Sequence, residues 1–445
     1  MIVEHAELTV EAGRERVFEA VFDRAREVLA EADGFRWTEL LRCEERPDSY
    51  LLLVGWTSVE AHTVGFRSSE RFQRWRALVG PFFAAPPAVE HYRTLGDRFT
   101  ASLALARTPM PHKVPVVLAC SPSLALRSVG VLDRVLARAV PFDVMRLRRA
   151  DGGLLAELRT PHTGGAELPS TAGALRSDLQ DALCDAVYAQ GVRVRLALSV
   201  AKLDQSLGHV DVTFTDGTSG RYDLVVGADG INSRMRQLIG ITTRPRPVGM
   251  SIFRVVAQRP PEMDCAEVYY GGPRYKAGYS PISPDQCYAY LLDENLDASL
   301  VGPRAPLSLL RERGSGYGGT WGRILASLPD DAPVDYRWIE AILVDEPWYR
   351  GRTVIIGDAA HACPPLIAQG AAMCAEDAVV LAELVTGGAP LDKALDTFMA
   401  RRLPRVRVVL ENSLRLADWE IHPETPGADP GRIMSETLDY LTAAA

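Results

Sequence analysis

Two segments far apart in the chain repeat one local pattern. In "RYDLVVGADGINSRMRQLIG" an apolar strand, Leu224 to Val226, turns over Gly227-Ala228-Asp229-Gly230 and enters a helix through Asn232 or Ser233. In "TVIIGDAAHACPPLIAQGAAMCAEDAVVLAELV" the strand Val354 to Ile356 delivers Gly357 and Asp358; Pro364 and Pro365 stiffen the loop, and Gln369-Gly370 opens a long helix. Short, fully apolar strands running directly into helices belong in α/β layers, where helices cover both sheet faces. Small residues at such a turn let backbone N–H groups approach a phosphate, and a helix N-terminus favours its charge. The Asp358 carboxylate is suited to accept from a ribityl or ribose hydroxyl, and Arg234 and Arg236 would add positive charge near the first turn.

Composition removes several alternatives. Lysine and arginine number 49 against 57 acids, a net charge of −8 that argues against a nucleic-acid surface. No apolar run reaches the ~18 residues that suggest a membrane span. "MIVEHAELTVEAGRERVFEA" carries charge from Glu4 onward without an apolar stretch, unlike a secretory leader. The seven cysteines form no CxxC pair, so neither a disulfide framework nor a metal site is expected. These features lead to the expectation of a cytoplasmic protein.

The first 96 residues stand apart. "VEHAELTV" alternates, Phe18, Val21, Phe22, Ala25, Val28 and Leu29 form a helical stripe stopped near Gly34, and "FRWTELLRC" and "SYLLLVGW" read as paired strands. A helical stretch opened by Ser58 and a last strand, "AVEHYRTL", complete β-α-β-β-α-β, a ferredoxin-like order. Residues 97–122, with "RTPMPHKVP", read as a linker. An α/β domain is expected over 123–247 and 345–445, with an antiparallel sheet domain over 248–344 between them. A C-terminal helical segment is expected to break near Pro404.

The two turn motifs resemble the "DG" and "GD" motifs of class A flavoprotein monooxygenases of the para-hydroxybenzoate and salicylate hydroxylase type. Roughly residues 125 to 420 share the likeness, including "LRSDLQDALCDAVYAQGVRVRLALSV" and the sheet segment "YYGGPRYKAGYSPISPDQCYAYLL". The resemblance implies FAD contacts at Arg176, Asp229, Gly230, Gly357, Asp358, Pro365, Gln369 and Gly370, NAD(P)H as reductant if FAD is used, and O₂ as co-substrate. It also implies a substrate-covering sheet. Arg254, His361, Asp358 and Tyr279 are then acid–base candidates. The sequence departs from the family in having no G-x-G-x-x-G; in "VPVVLACSPSLAL" Ala119, Ser121 and Leu124 stand where those glycines belong. Each charge-assisted hydrogen bond lost with that cradle is worth about 1.5–3 kcal/mol, so whether FAD binds stays open at this point.

"LLLVGWTSVEAHTVGFRSSERFQRWRALVGPFFAAPPAVEHY" resembles the antibiotic biosynthesis monooxygenase (ABM) family, ferredoxin-like domains that usually pair through their sheets. That resemblance implies a homodimer through this domain and a pocket lined by Trp56, His62, Phe66, Phe72 and Trp75, with His62 the one base active near neutral pH and Trp56 beside it. The expected fold is thus a ferredoxin-like α+β domain followed by an α/β flavoprotein-monooxygenase-like domain with an inserted antiparallel substrate sheet and a C-terminal helical segment. The expected function is an oxygenase acting on a small phenolic or quinone aromatic, polyketide-like in character, with or without FAD. A non-redox acid–base enzyme and a homodimeric ligand-binding scaffold are the alternatives.

Overall fold

The computed structural model describes the chain apart from Met1 and residues 44–45, 94–101, 106–114, 120–124, 161, 163–164, 166, 298–300, 302–303 and 443–445. Two compact units emerge, Met1–Thr100 and Ala101–Ala445.

Unit 1 runs β1 (Ile2–Thr9), α1 (Glu15–Ala30), β2 (Phe35–Arg42), β3 (Ser49–Trp56), α2 (Glu70–Val79) and β4 (Ala88–Arg93). Its antiparallel sheet has the order β2-β3-β1-β4, the ferredoxin-like arrangement. The helix stripe buries as its periodicity requires: Phe18, Phe22, Ala25, Val28 and Leu29 share one core with Leu8, Leu52, Val54 and Trp56. Each large aromatic so buried is worth roughly 2–3 kcal/mol. Gly34 makes the turn into β2 at φ +83°, where a Cβ would sit 2.5 Å from Thr57 Oγ1, so no other residue fits. The stretch between β3 and α2 is a π-helical turn, Ala61–Phe66, a form common at functional sites. Ser69 then caps α2, its Oγ accepting from the Phe72 N–H at 3.3 Å.

Unit 2 begins inside the stretch expected to be a linker. β5 (Ser102–Leu105) pairs in parallel with β11 (Arg193–Leu196). β6 (Pro115–Ala119) and β7 (Val140–Phe142) flank β10 (Thr171–Leu175) antiparallel. Residues 97–122 therefore contribute two strands, and the reading as a plain linker is corrected. The proline-rich sequence hid the four- and five-residue strands of this stretch. Ser121 and Leu124 lie outside the described residues. Helix α3 (Arg176–Ala189) follows β10 directly. β12 (Val200–Gln205), β13 (Val210–Phe214) and β14 (Ser219–Tyr222) form an antiparallel meander. β15 (Val225–Gly227), β23 (Thr353–Ile355) and β22 (Tyr349–Arg350) make a third small sheet.

The largest sheet has eight strands, in the order β20 (Arg304–Ala305), β21 (Val334–Ala341), β16 (Arg246–Gln258), β19 (Gln286–Glu294), β18 (Lys276–Pro281), β17 (Ala266–Tyr270), β8 (Val144–Arg149), β9 (Leu154–Arg159). It is wider than the insertion expected over 248–344, because β8 and β9 join its edge and β8 runs parallel to β17. One face carries Phe253, Val255, Ala289 and Leu291 into a core with Leu310 and Trp321. The other presents Ile252 and Leu292 to Leu366, Ile367 and Leu416.

Three C-terminal helices follow: α4 (Gly370–Thr386), α5 (Leu391–Ile421) and α6 (Pro430–Leu441). α5 runs unbroken through Pro404, against the break expected there. A proline inside a helix costs about 3 kcal/mol, so side-chain anchoring on either side has to offset it. Arg402 donates to Glu376 and Asp377 of α4 at 2.7 Å each, and Arg405 Nε donates to Glu376 at 2.7 Å. Among the described residues no helix is long and apolar enough to cross a membrane.

Candidate active site

β15 and β23 lie side by side in parallel, Val225 opposite Thr353, Val226 opposite Val354 and Gly227 opposite Ile355. The Ile356 N–H donates to the Gly227 carbonyl at 3.0 Å and continues the ladder into the second turn. Both motif turns thus leave the carboxyl ends of adjacent parallel strands, where α/β sheets bind ligands.

The two turns are built differently. The Asp229 carboxylate closes its own turn, accepting from the Ser233 hydroxyl and from the Met235 N–H at 2.9 Å. Gly230, at φ +79°, has no atom within 4 Å of where a Cβ would stand, so the backbone is open to close approach. Arg236 is buried, and its guanidinium is spent on the carbonyls of Ile231, Thr243 and Ala359. It ties the first motif to the second, which corrects the expectation that it offers charge to a phosphate. Arg234 reaches the Ala201 carbonyl from the exposed side of its helix.

Gly357 turns at φ +61° with its N–H on Asp377 Oδ2 at 2.8 Å. The same carboxylate takes the His361 Nε2 at 2.6 Å and the Arg402 Nε at 2.7 Å. Burial alone would raise the Asp377 carboxyl, but His361 and Arg402 outweigh it and hold it below the usual carboxylate range. His361 is 4 % exposed and packs on Trp348. With its ring nitrogen committed to Asp377, His361 holds the shape of the turn, and the catalytic role expected for it gives way to a positioning one.

Asp358, next along, accepts among the described residues only the Cys374 thiol, at 3.7 Å. Gln369 is 1 % exposed, and its Oε1 is buried without a hydrogen-bond partner. Ala368 before it sits at φ +57°, a conformation costing a non-glycine residue about 1 kcal/mol or more. Its N–H closes a turn on the Pro365 carbonyl at 3.3 Å, and Gly370 then starts α4. Arg176 opens α3, and among the described residues no carboxylate pairs with it. Among the described residues, an orphaned buried amide oxygen, a carboxylate held only by a thiol, an open glycine and an arginine without a carboxylate partner fit a dinucleotide flavin.

The sheet face turned to Leu366 and Ile367 is polar beyond Ile252. Arg254 pairs with Asp335 at 2.7 Å and lies opposite Tyr290 in the ladder. Tyr288 and Tyr290 pack beside it with tilted rings 5.4 Å apart, and burial pushes the Tyr288 hydroxyl up to about 12. Lys276 pairs with Glu420 of α5, whose Oε2 is buried without a partner. Burial works against the ammonium, but Glu420 prevails and holds Lys276 above its ordinary range. Tyr279 points the other way, donating to Glu267 beneath the opposite core, so its candidacy on the flavin side is corrected. Lys276, Tyr288, Tyr290 and Glu420 escaped the sequence reading, although alternation within "CYAYLLD" already puts the two tyrosines on one face.

Unit 1 holds a second polar cluster. Trp56 is fully buried, stacks on His62 at 5.3 Å and donates its Nε1–H to Glu4 at 2.8 Å. Phe66, Phe72 and Trp75 pack with them in the core of the unit, where a pocket lined by these five residues was expected. Glu4 and His91 were not anticipated. The available signal was phase: Glu4 shares the buried face of β1 with Ile2, Ala6 and Leu8.

Residues 1–78 match the antibiotic biosynthesis monooxygenase family, and residues 124–275 and 328–413 match the FAD binding domain family. The chain is 31 % identical over 321 residues to 2-heptyl-3-hydroxy-4(1H)-quinolone synthase of Pseudomonas aeruginosa, covering 70 % of this chain and 81 % of that one. It is 29 % identical to 3-amino-4-hydroxybenzoate 2-monooxygenase of Streptomyces cremeus, covering 75 % and 84 %. Klebsiella pneumoniae HpxO, solved with FAD and uric acid, has the same fold as unit 2, with a TM-score of 0.65, 20 % identity and 76 % and 89 % coverage. The chain belongs to the class A flavoprotein monooxygenases, with an antibiotic biosynthesis monooxygenase domain fused at its N-terminal side.

Proposed function

We propose that this monooxygenase hydroxylates a small phenolic or related hydroxyaromatic compound, with FAD bound along the paired turn motifs. The observation that carries this reading is the parallel pairing of β15 with β23, which sets the two motif turns side by side with the unpartnered Gln369 oxygen between loop and helix. When bound, FAD supplies the oxygen activation: one atom of O₂ enters the ring, and the other leaves as water at the expense of NAD(P)H. The chain's own residues hold and orient. Asp358 would accept from a ribityl hydroxyl, the amide end of α4 would favour the electron-rich side of the ring, and Arg176 would meet the pyrophosphate in place of part of the missing glycine cradle.

The substrate rests on the sheet face of Arg254, Tyr288, Tyr290 and Lys276. Paired charges and buried hydroxyls there suit an aromatic ring bearing an ionisable oxygen. The names of the relatives, a quinolone synthase and an aminohydroxybenzoate monooxygenase, support that class, and a polyketide-like phenol falls within it. A homodimer through the face of the unit 1 sheet that carries Val3, His5 and Glu7 belongs to the same reading, because neither α1 nor α2 covers that face within the unit.

The test is an absorbance spectrum of the purified chain after incubation with FAD and desalting. The wild type should keep flavin bands, and Asp358→Ala should weaken retention about 10–100-fold, the value of one lost charge-assisted hydrogen bond. A colourless wild-type protein that still oxidises a phenol would overturn the flavin assignment.

A further inference from the structure

Where the β8–β9 turn meets the start of the helix Gly319–Ser327, unit 2 holds a cavity of about 350 Å³, lined by Arg148, Gly152, Tyr269, Gly319, Thr320 and Arg323. It lies on the face of the eight-stranded sheet that packs on Trp321, away from Leu366 and Ile367. Backbone contacts fix its rim. The Gly318 N–H donates to the Ala150 carbonyl at 2.7 Å, and a Cβ on Gly152 would stand 2.9 Å from the Gly319 Cα, so this approach requires glycine. The volume equals roughly a dozen waters at about 30 Å³ each, room for a small organic molecule as well as a charged head.

Hydrogen-bond accounting shows what the lining has left to offer. A guanidinium carries five N–H donors. Arg148 spends three, two on the Glu267 carboxylate and one on the Gly152 carbonyl. Its head is thereby held in place, because Glu267 is buried and also accepts from Tyr269 and Tyr279. Burial works to raise the Glu267 carboxyl, but Arg148 and Tyr279 outweigh it and hold it below its ordinary range, so the pair stays charged. Arg323 spends two N–H groups, on Glu262 and on Thr320 Oγ1. The Tyr269 hydroxyl is already used, donating to Glu267 and accepting from the Trp321 N–H. Among the described residues, the lining is therefore left with two N–H groups on Arg148, three on Arg323 and the Thr320 hydroxyl hydrogen, all of them donors. Glu267 is turned inward, and the Glu262–Arg323 pair is exposed at both ends, where one anion exchanges readily for another.

We propose that this cavity is a binding site for a small organic oxyanion, a phosphate monoester or a carboxylate, whose oxygens are held by Arg148, Arg323 and Thr320. Planar guanidinium donors match the oxygens of either head group, and a cavity with donors to spare selects a ligand rich in acceptors. Arg148, already ordered by Glu267, presents its remaining N–H groups without a further ordering cost. Arg323, on the solvent side, exchanges Glu262 for the ligand. The site is on the sheet face opposite Arg254 and Lys276 and does not rest on the reading given to the flavin or to the aromatic substrate.

The experiment is isothermal titration calorimetry of the full chain with glycerol 3-phosphate and, separately, with glutarate, neither of which carries a ring to fill the aromatic substrate face. At least one should bind saturably with a dissociation constant of about 1 mM or tighter. Glycerol 3-phosphate alone would identify a phosphate site, glutarate alone a carboxylate site, and both an oxyanion site open to either source. The double variant Arg323→Gln, Thr320→Val, at an exposed and a half-buried position, should weaken binding by about tenfold or more. Arg176→Gln, which removes a cation from the flavin motif, should change it by less than about twofold. Saturation by neither probe at about 10 mM, or binding unchanged in the double variant, would overturn the proposal. The unaltered chain gives a readout that needs no variant to fold: nitrogen-15 spectra of the arginine side chains should move with the same midpoint as the heat, and heat with no arginine signal moving would refute the assignment.

Discussion

Asp377 is the residue whose removal should be felt most widely in unit 2. It is fully buried and accepts three hydrogen bonds, from Gly357 N–H, His361 and Arg402, at 2.8, 2.6 and 2.7 Å. Asp377→Ala leaves a fully buried guanidinium with one carboxylate partner, Glu376, and deprives an imidazole and a backbone N–H of theirs. Breaking a buried ion pair from one side costs about 3–5 kcal/mol, because the partner stays buried without compensation. Unfolding entropy of about 2 cal/mol/K per residue over Ala101–Ala445 converts this into a melting-point drop of roughly 4–7 °C. Differential scanning calorimetry, following the transition of the larger unit, measures it. Because Gly357 loses its anchor, flavin retention should fall as well, whereas Asp358→Ala should reduce retention at an unchanged melting point. An Asp377→Ala protein melting within a degree of wild type would refute the view that this carboxylate organises the second motif.

Stability of unit 1 should change only gently between about pH 4.5 and 6.5, because the Glu4 and His62 contributions cancel there. Glu4, raised by burial to about 7 from 4.5, contributes stability below 4.5 that is lost as pH rises through 7. His62, lowered by burial to about 4 from 6.5, contributes stability above 6.5 that is lost as pH falls through 4, and His91, also lowered by burial, adds to that limb. Between the two ordinary values the folded chain keeps a proton on Glu4 and the unfolded chain one on His62, so these two cancel, and the slope that remains is that of His91, with stability rising towards higher pH. Trp56 and the Arg67 guanidinium face the same groups. Glu4→Gln should tilt the plateau so that stability falls towards acid, and His62→Gln should tilt it the other way, as read by urea unfolding with hydrogen exchange of unit 1 amides. Pro404→Ala should raise unit 2 stability by about 1–3 kcal/mol, since α5 is already continuous there; a loss in chemical denaturation would show that the proline is not strained. Glu420→Gln should destabilise by about 3 kcal/mol by stranding the buried Lys276 ammonium, and should also lower its pKa, measurable by nitrogen-15 NMR of the lysine.

The motifs of unit 2 were legible because their chemistry is local: an apolar strand, small turn residues and a helix start announce themselves within twenty or so residues. The β-α-β-β-α-β order was legible for the same reason. What escaped depends on pairing between distant segments. Nothing in "VMRLRR" reveals that β8 will lie parallel to β17, and nothing in the proline-rich stretch reveals partners for β5 and β6. The unbroken helix through Pro404 is a tertiary override, with Glu376 and Asp377 holding Arg402 and Arg405 where propensity alone would let the helix break. Glu4 and His91 were readable only by taking strand phase literally, since acids on β-strands are ordinarily solvated. His361 looked catalytic because it follows the second turn, but its partner Asp377 lies a full helix segment further on.

The ladder between β15 and β23 joins Gly227 to Ile355 through strands of only three residues each. Neither strand can persist alone, and closing so long a loop carries an entropy cost before any contact rewards it. On a ribosome, a nascent chain that has not yet extended past Ile355 lacks one whole side of the nucleotide edge, however well the earlier strands have formed. Pairing of the two turns is therefore placed near the end of synthesis, when most of the strands of the eight-stranded sheet have already been made, and a chain released early carries away those strands without the paired turns.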